Sequence, residues 1–159
     1  MNSKVVTVSV RSLLPAAALL LVLPSCAILD DFEEDDEARE HRRVWLRHDI
    51  DAYTFDFQRS CFCLEGATRG VTIRVEDGAI VEVTDRRTGE PVPQDEWHYF
   101  RTVDELFEVV LDAVDREADD IDVEYDREYA FPRRISIDYI ENAVDDEVVF
   151  TAANLRPGD

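Results

Sequence analysis

Between Thr102 and Val114 the sequence admits one structure. Thr102-Val103-Asp104-Glu105 is a capping box, a hydroxyl three residues ahead of a carboxylate at the start of an apolar run. Val103, Leu106, Phe107, Val110, Leu111 and Val114 then recur three and four residues apart, which puts them on one face of a helix over 103–117. An apolar face that wide must be covered, so the rest of the chain has to supply a surface for it. Packing against that surface explains the whole stripe, and no cofactor is needed.

The surface comes from short runs with a period of two. From Tyr53 to Cys63, Tyr53, Phe55, Phe57, Cys61 and Cys63 face one way, with Arg59 the exception, while Thr54, Asp56, Gln58 and Ser60 face the other. Ile121, Val123 and Tyr125 mark another strand, Ile135, Ile137 and Tyr139 a further one, and Glu147 to Ala153 the last. Val71 to Thr84 reads as a hairpin. A two-residue Asp77-Gly78 turn would pair Ile73 with Glu82 and mix the faces. A three-residue loop over 76–78 pairs Val75 with Ala79 and Ile73 with Val81. The expectation is therefore a type I turn with Gly78 left-handed in a bulge.

A first helix is expected over 34–48. Ala38, His41 or Arg42, Trp45 and His48 or Asp49 lie along one side of it. Asp85 to Gln94 is a polar loop closed by Pro91 and Pro93, and Trp97, Tyr99 and Phe100 should cover an open edge of the core. The order is helix, three strands, helix, three strands. Short links between strands imply antiparallel pairing, and one polar face per strand implies one wet and one covered side. The fold class is α+β, an antiparallel sheet of about five to six strands with two helices on one face.

The N-terminus has a different character. Lys4 and Arg11 precede an apolar run, Leu13 to Leu23, and the small residue Ser25 precedes Cys26. This is the layout of a secretion signal. The apolar run is too short to cross a ~30 Å hydrocarbon layer. Leu23-Pro24-Ser25-Cys26 resembles the lipobox of bacterial lipoproteins, in which the cysteine is acylated and becomes the first mature residue. Pro24 departs from the usual small residue. The alternative is an ordinary cleaved signal with Cys26 left in a tail. Ala27 after Cys26 resembles lipoproteins passed to the outer membrane in two-membraned bacteria. The expected organisation is a signal over 1–25, an acidic tether over 26–37 and one domain over 38–159. Asp30 to Glu37 is acidic except for Phe32, so it reads as an extended tether or as the acidic first turn of the following helix. The net charge of −20 for the whole chain argues against partners that are nucleic acids or anionic head groups. It leaves the membrane, through the lipid, and an envelope protein as the expected partners.

Several pieces together resemble a family of bacterial lipoproteins known only as a domain of unknown function, DUF6174. They are Tyr53, Ser60-Cys61-Phe62-Cys63, Asp77-Gly78, Thr102-Val103-Asp104-Glu105-Leu106-Phe107, Val123-Glu124-Tyr125-Asp126, Tyr129-Ala130-Phe131-Pro132, Ile135-Ser136-Ile137-Asp138 and Asp145-Asp146-Glu147. The resemblance spans about Trp45 to Leu155, and Ala130 stands where glycine is expected. It implies an envelope location and these domain bounds, and no activity, ligand or catalytic residue.

Three chemistries have candidate residues. Cys61 and Cys63 enter an oxidising compartment, where a disulfide persists. A redox role would need a helix N-terminus or nearby cations, and only Arg59 and Arg69 are close in sequence. Residues two apart on a regular strand have Cα atoms about 6.5–7 Å apart, at or beyond the ~4.4–6.8 Å a bridge allows. A bridge therefore requires a bend at Phe62. Zinc or copper would need two more soft ligands, which His41, His48 and His98 would have to supply. Calcium has candidates in Asp119, Asp120 and Asp122 with Asp145, Asp146 and Glu147, although the spacing is not that of an EF-hand. No Gly-x-Ser-x-Gly, His-Glu-x-x-His or phosphate-binding glycine loop is present. The expected function is a non-enzymatic, lipid-anchored binding or structural module, without a cofactor. The alternative is a thiol–disulfide or metal-handling protein using Cys61 and Cys63.

Overall fold

Tyr53, Phe55 and Phe57 stand at the centre of the molecule, each fully buried, on the strand that joins its two halves. A computed structural model describes residues 27–140 and 146–158, with side chains from residue 35 onward. The expected signal over 1–25, Cys26 and Asp145 lie outside the described residues. The main elements are α1 (Ala27–Arg47), β1 (Ala52–Cys61), the one-turn α2 (Glu65–Thr68), β2 (Val71–Glu76) and β3 (Ala79–Asp85). After a 3-10 helix, Gln94–Tyr99, come α3 (Val103–Asp115), β4 (Asp120–Tyr125), β5 (Pro132–Asp138) and β6 (Val148–Pro157).

The strands form one six-stranded sheet in the order β3-β2-β1-β6-β5-β4, antiparallel throughout. Each half is a meander, and the β1–β6 pairing joins them. The architecture is α+β, with both long helices on one face. β1 buries Tyr53, Phe55 and Phe57 under them, β2 buries Val71, Ile73 and Val75, and β5 buries Ile135 and Ile137. Rings continue this layer, with Phe100 edge-on to Phe57 at 6.1 Å and Phe150 tilted at 6.3 Å.

α3 starts where the sequence says it should. Thr102 Oγ1 accepts the Glu105 N–H at 3.2 Å, and the Glu105 carboxylate accepts the Thr102 N–H at 2.8 Å. The Val103 N–H, a third group that the first turn leaves unpaired, donates to the Tyr53 hydroxyl at 3.0 Å. That bond ties the helix start to the central strand across fifty residues. The stripe is buried as expected, except that Ala113 closes its last turn and Val114 is only half-buried.

α1 is longer than expected and contains the acidic run. An extended tether is not what forms: of the two expectations for Asp30 to Glu37, the acidic helix start holds. Carboxylates in the first turns complement the helix dipole, an ion pair one turn apart joins Asp35 to Arg39, and a Glu37 carboxylate oxygen lies 3.7 Å from His41 Nε2. Ala38 and Trp45 are buried, and the Arg42 guanidinium pairs with Glu108 of α3 at 2.6 Å. Trp45 meets Tyr53 edge-on at 5.5 Å, so the helix ends beside the start of β1. α1 therefore runs antiparallel to α3.

The hairpin corrects the expected register. Its turn is the two-residue Asp77-Gly78, with both residues at positive φ (49° and 74°). Glu76 pairs with Ala79 and Val75 with Ile80. The faces are then reconciled further along, where the register shifts between Arg74 and Val75 and Val81 is left over. Ile73 thereby meets Val83, both fully buried, while Val81 points outward. A primed turn fits the twist of the strands, and β3 is an edge strand, where a bulge does little harm.

Candidate functional site

The sheet has two dissimilar ends. At one end lie Tyr53, the β2–β3 turn and the start of α3, all closed by hydrogen bonds. At the other, β1 ends at Cys61, β6 begins at Val148 and β5 ends at Asp138. Cys61 pairs with Val148, which in turn pairs with Ile137. This second end carries the three most exposed large apolar side chains among the described residues, whereas Leu46, 57% exposed, lies at the first end and Val81 on β3. Phe62 is 84% exposed, Leu64 74% and Ile140 62%.

Cys61 and Cys63 are joined by a disulfide, with Cα atoms 5.3 Å apart. The strand bends at Phe62, as the geometry demands: the Cys63 N–H turns back to the Cys61 carbonyl at 2.9 Å. Cys61 is half-buried and still held in the β-ladder, whereas Cys63 is exposed. The bend turns Phe62 into solvent. α2 follows immediately, held to the 3-10 helix by the Arg69–Glu96 ion pair at 3.1 Å.

Arg59 precedes the bridge by two residues on the covered face. Its guanidinium lies over the Phe150 ring, 5.6 Å from the centroid. Burial, and then the nearby charge of Arg101, lower its pKa below the usual guanidinium value. Among the described residues no carboxylate forms an ion pair with it, and its buried Nε has no hydrogen-bond partner. Arg101 donates to the carbonyls of His98 and Phe100. Arg116, at the end of α3, covers the Tyr139 ring at 4.4 Å.

The metal candidates among the described residues do not converge. Asp120 and Asp122 lie on the edge strand β4, Asp119 just before it, and Asp146 and Glu147 just before β6, with β5 between the two runs. Among the described residues no group of three or more His, Cys, Asp or Glu side chains could hold an ion. The histidines are used in packing. His41 stacks on Tyr125 at 3.8 Å, His48 meets Tyr129 at 5.3 Å, and His98 Nδ1 bonds the Asp95 carbonyl at 2.6 Å.

Asp56, on the wet face, is an ordered carboxylate the sequence did not single out. It accepts from Thr72 and Asn154, each at 2.8 Å, and pairs with Arg86 at 3.3 Å, joining β1 to both neighbours. Burial alone would raise its pKa. The bonds from Asn154 and Thr72 and the charge of Arg86 outweigh that and hold it below the usual carboxylate value. Its partners account for it structurally.

These features describe an α+β domain with a wet sheet face, a helix-covered face and one apolar, disulfide-clamped end. The chain belongs to the family of unknown function DUF6174, which it matches over residues 37–157, the whole sheet and all of α3 included. Comparison with the curated proteins finds no match, and comparison with the solved structures finds none either.

Proposed function

We propose that the protein is a bacterial envelope lipoprotein, acylated at Cys26, that presents a non-enzymatic binding module to another envelope protein close to the membrane. The lipobox-like Leu23-Pro24-Ser25-Cys26 is the basis for the anchor. A stable anchor of this kind needs more than one acyl chain. The observation that carries the binding reading is the direction of α1. The helix begins at Ala27, directly after Cys26, and Arg39 already feels the charge of Asp115 at the end of α3. Arg39 lies twelve residues along the helix from Ala27, about 18 Å at ~1.5 Å per residue. α1 thus projects past the end of the sheet that carries Phe62, Leu64 and Ile140. An anchor at its start turns this apolar end toward the membrane, where a membrane-bound partner would meet it. Exposed apolar groups with acidic surroundings favour a partner with an apolar pocket and a basic rim.

The Cys26→Ser variant tests the anchor. Fractionation should find it released from membranes, and a variant that sediments with membranes as completely as the wild type would refute acylation at Cys26. Site-specific photocrosslinking from position 62 tests the binding face. Adducts with membrane-fraction proteins should form from there and not from Glu82 on the edge strand β3.

A further inference from the structure

The docking end also holds a bond that can be exchanged. We infer that Cys61–Cys63 is a thiol–disulfide exchange site for a polypeptide whose cysteine lies in an apolar segment. The inference rests on the reading of this end as a docking surface. It does not depend on whether Cys26 is acylated.

The two sulfurs differ in the way exchange requires. Cys63 is exposed, outside the ladder, and flanked by Phe62 and Leu64, the most exposed large apolar side chains among the described residues. A thiol carried on an apolar segment would be guided to it. Cys61 is half-buried and held opposite Val148 in the sheet. It shares the covered face with Arg59, whose Cα lies about 6.6 Å away at ~3.3 Å per residue. Arg59 has no carboxylate partner among the described residues. With no counter-charge paired to it among the described residues, this guanidinium can serve a thiolate formed at Cys61. Opening the bond frees a loop of only three residues, so the domain stays folded while the sulfurs react.

A thiolate of the partner attacks Sγ of Cys63. A partner–Cys63 disulfide forms, the Cys61–Cys63 bond breaks, and the electron pair leaves on Sγ of Cys61. A second thiolate of the same partner then attacks the partner sulfur of the mixed disulfide and expels Cys63 as thiolate. The partner dithiol is oxidised by two electrons and the protein pair is reduced. The two thiol protons pass to solvent or to the released thiolates. Leaving-group thiols of lower pKa depart faster, which assigns Arg59 a positioning role beside Cys61.

The test uses the oxidised full mature chain and two synthetic peptides with one cysteine each, flanked in one by leucines and in the other by serines. After an acid quench, the mixed disulfide is mapped by mass spectrometry. Binding of the same peptides with cysteine replaced by serine is followed separately by fluorescence anisotropy. We expect the adduct on Cys63, with Cys61 free, to form about tenfold faster with the leucine peptide, as partial burial of one large apolar side chain allows. Phe62→Ser, an exposed change, should bring that rate down to that of the serine peptide. In the reduced protein, Arg59→Gln should shift the pH profile of Cys61 alkylation upward. An intact bridge after excess peptide, an adduct on Cys61, or an unshifted alkylation profile would overturn the exchange site. If the serine-substituted leucine peptide binds while the bridge stays intact, the docking reading survives and exchange fails. Equal rates for the two peptides would overturn the apolar guidance on which both depend.

Discussion

Tyr53→Phe removes a single oxygen, and the structure says what that oxygen does. The side chain is 2% exposed, and its hydroxyl accepts the Val103 N–H at 3.0 Å. The capping box already satisfies Thr102 and Glu105. Without the hydroxyl, the Val103 N–H is left facing a ring edge in the buried core. A buried donor without a partner costs about 1–3 kcal/mol, and the ring itself still packs against Trp45 and Phe55. Urea melts followed by tryptophan fluorescence should therefore show a lower midpoint with an unchanged slope. The pH dependence gives a second, independent check. Burial is the largest effect on the Tyr53 hydroxyl and holds its pKa above the ordinary value of about 10, against the opposing pull of the Val103 N–H. Below the unfolded value both states keep the proton, and the hydroxyl's contribution is complete. Above about pH 10 the unfolded chain ionises first, so stability falls by about 1.4 kcal/mol per pH unit for this one proton. Phenylalanine has no such proton. The gap between wild type and variant should thus narrow above about pH 10. Equal stability at pH 7, or a gap that stays constant up to pH 11, would refute the role given to this bond.

Thr102→Ala should cost about 0.5–2 kcal/mol as a lost cap, and Phe107→Ala about 3–5 kcal/mol as a core cavity; denaturant melts that reverse this order would show the helix face to be misassigned. Asp56 has a depressed pKa, so its contribution is present above the unfolded carboxylate value and lost as pH falls through the folded one. Asp56→Asn should accordingly flatten the acid limb of the stability curve below about pH 4. Replacing Cys61 and Cys63 together by alanine should leave a folded protein, less stable by under ~2 kcal/mol because the closed loop is so short; a failure to fold, seen by circular dichroism, would contradict this.

The parts of the fold that were legible in the sequence are those in which local periodicity and burial agree. The stripe from Val103 to Leu111 and the alternation of Tyr53, Phe55 and Phe57 read directly, because each residue's neighbours along the chain define its face. The bend at Phe62 was legible for another reason: strand geometry holds residues 61 and 63 at or beyond the reach of a bridge, and the bend brings their Cα atoms to 5.3 Å. The β2–β3 hairpin departs from its expected register because its two faces do not have to agree at the turn itself. The chain achieves that agreement by a bulge at Val81, and an exposed valine on an edge strand leaves no mark in the sequence pattern. The bond between Tyr53 and Val103 was illegible because it joins residues fifty apart, and a tyrosine in an apolar stripe does not announce a hydroxyl partner. The candidate site follows the same division. Both cysteines were visible, but the exposure of Phe62, Leu64 and Ile140 at one end, and Arg59 without a carboxylate partner among the described residues, depend on which strand ends the topology brings together. Ala130, where glycine was expected, sits at φ +63°, a left-handed position that favours glycine, within a turn whose Asp126 carboxylate accepts the N–H groups of Glu128 and Tyr129.

The proposal that a lipid at Cys26 orients the domain is tested most directly by intact-mass and peptide mass spectrometry of the mature protein from bacterial membranes. The proposal predicts an N-terminal peptide beginning at Cys26 and heavier than its sequence by more than one acyl chain. An unmodified Cys26, or a mature chain starting at any other residue, would contradict it.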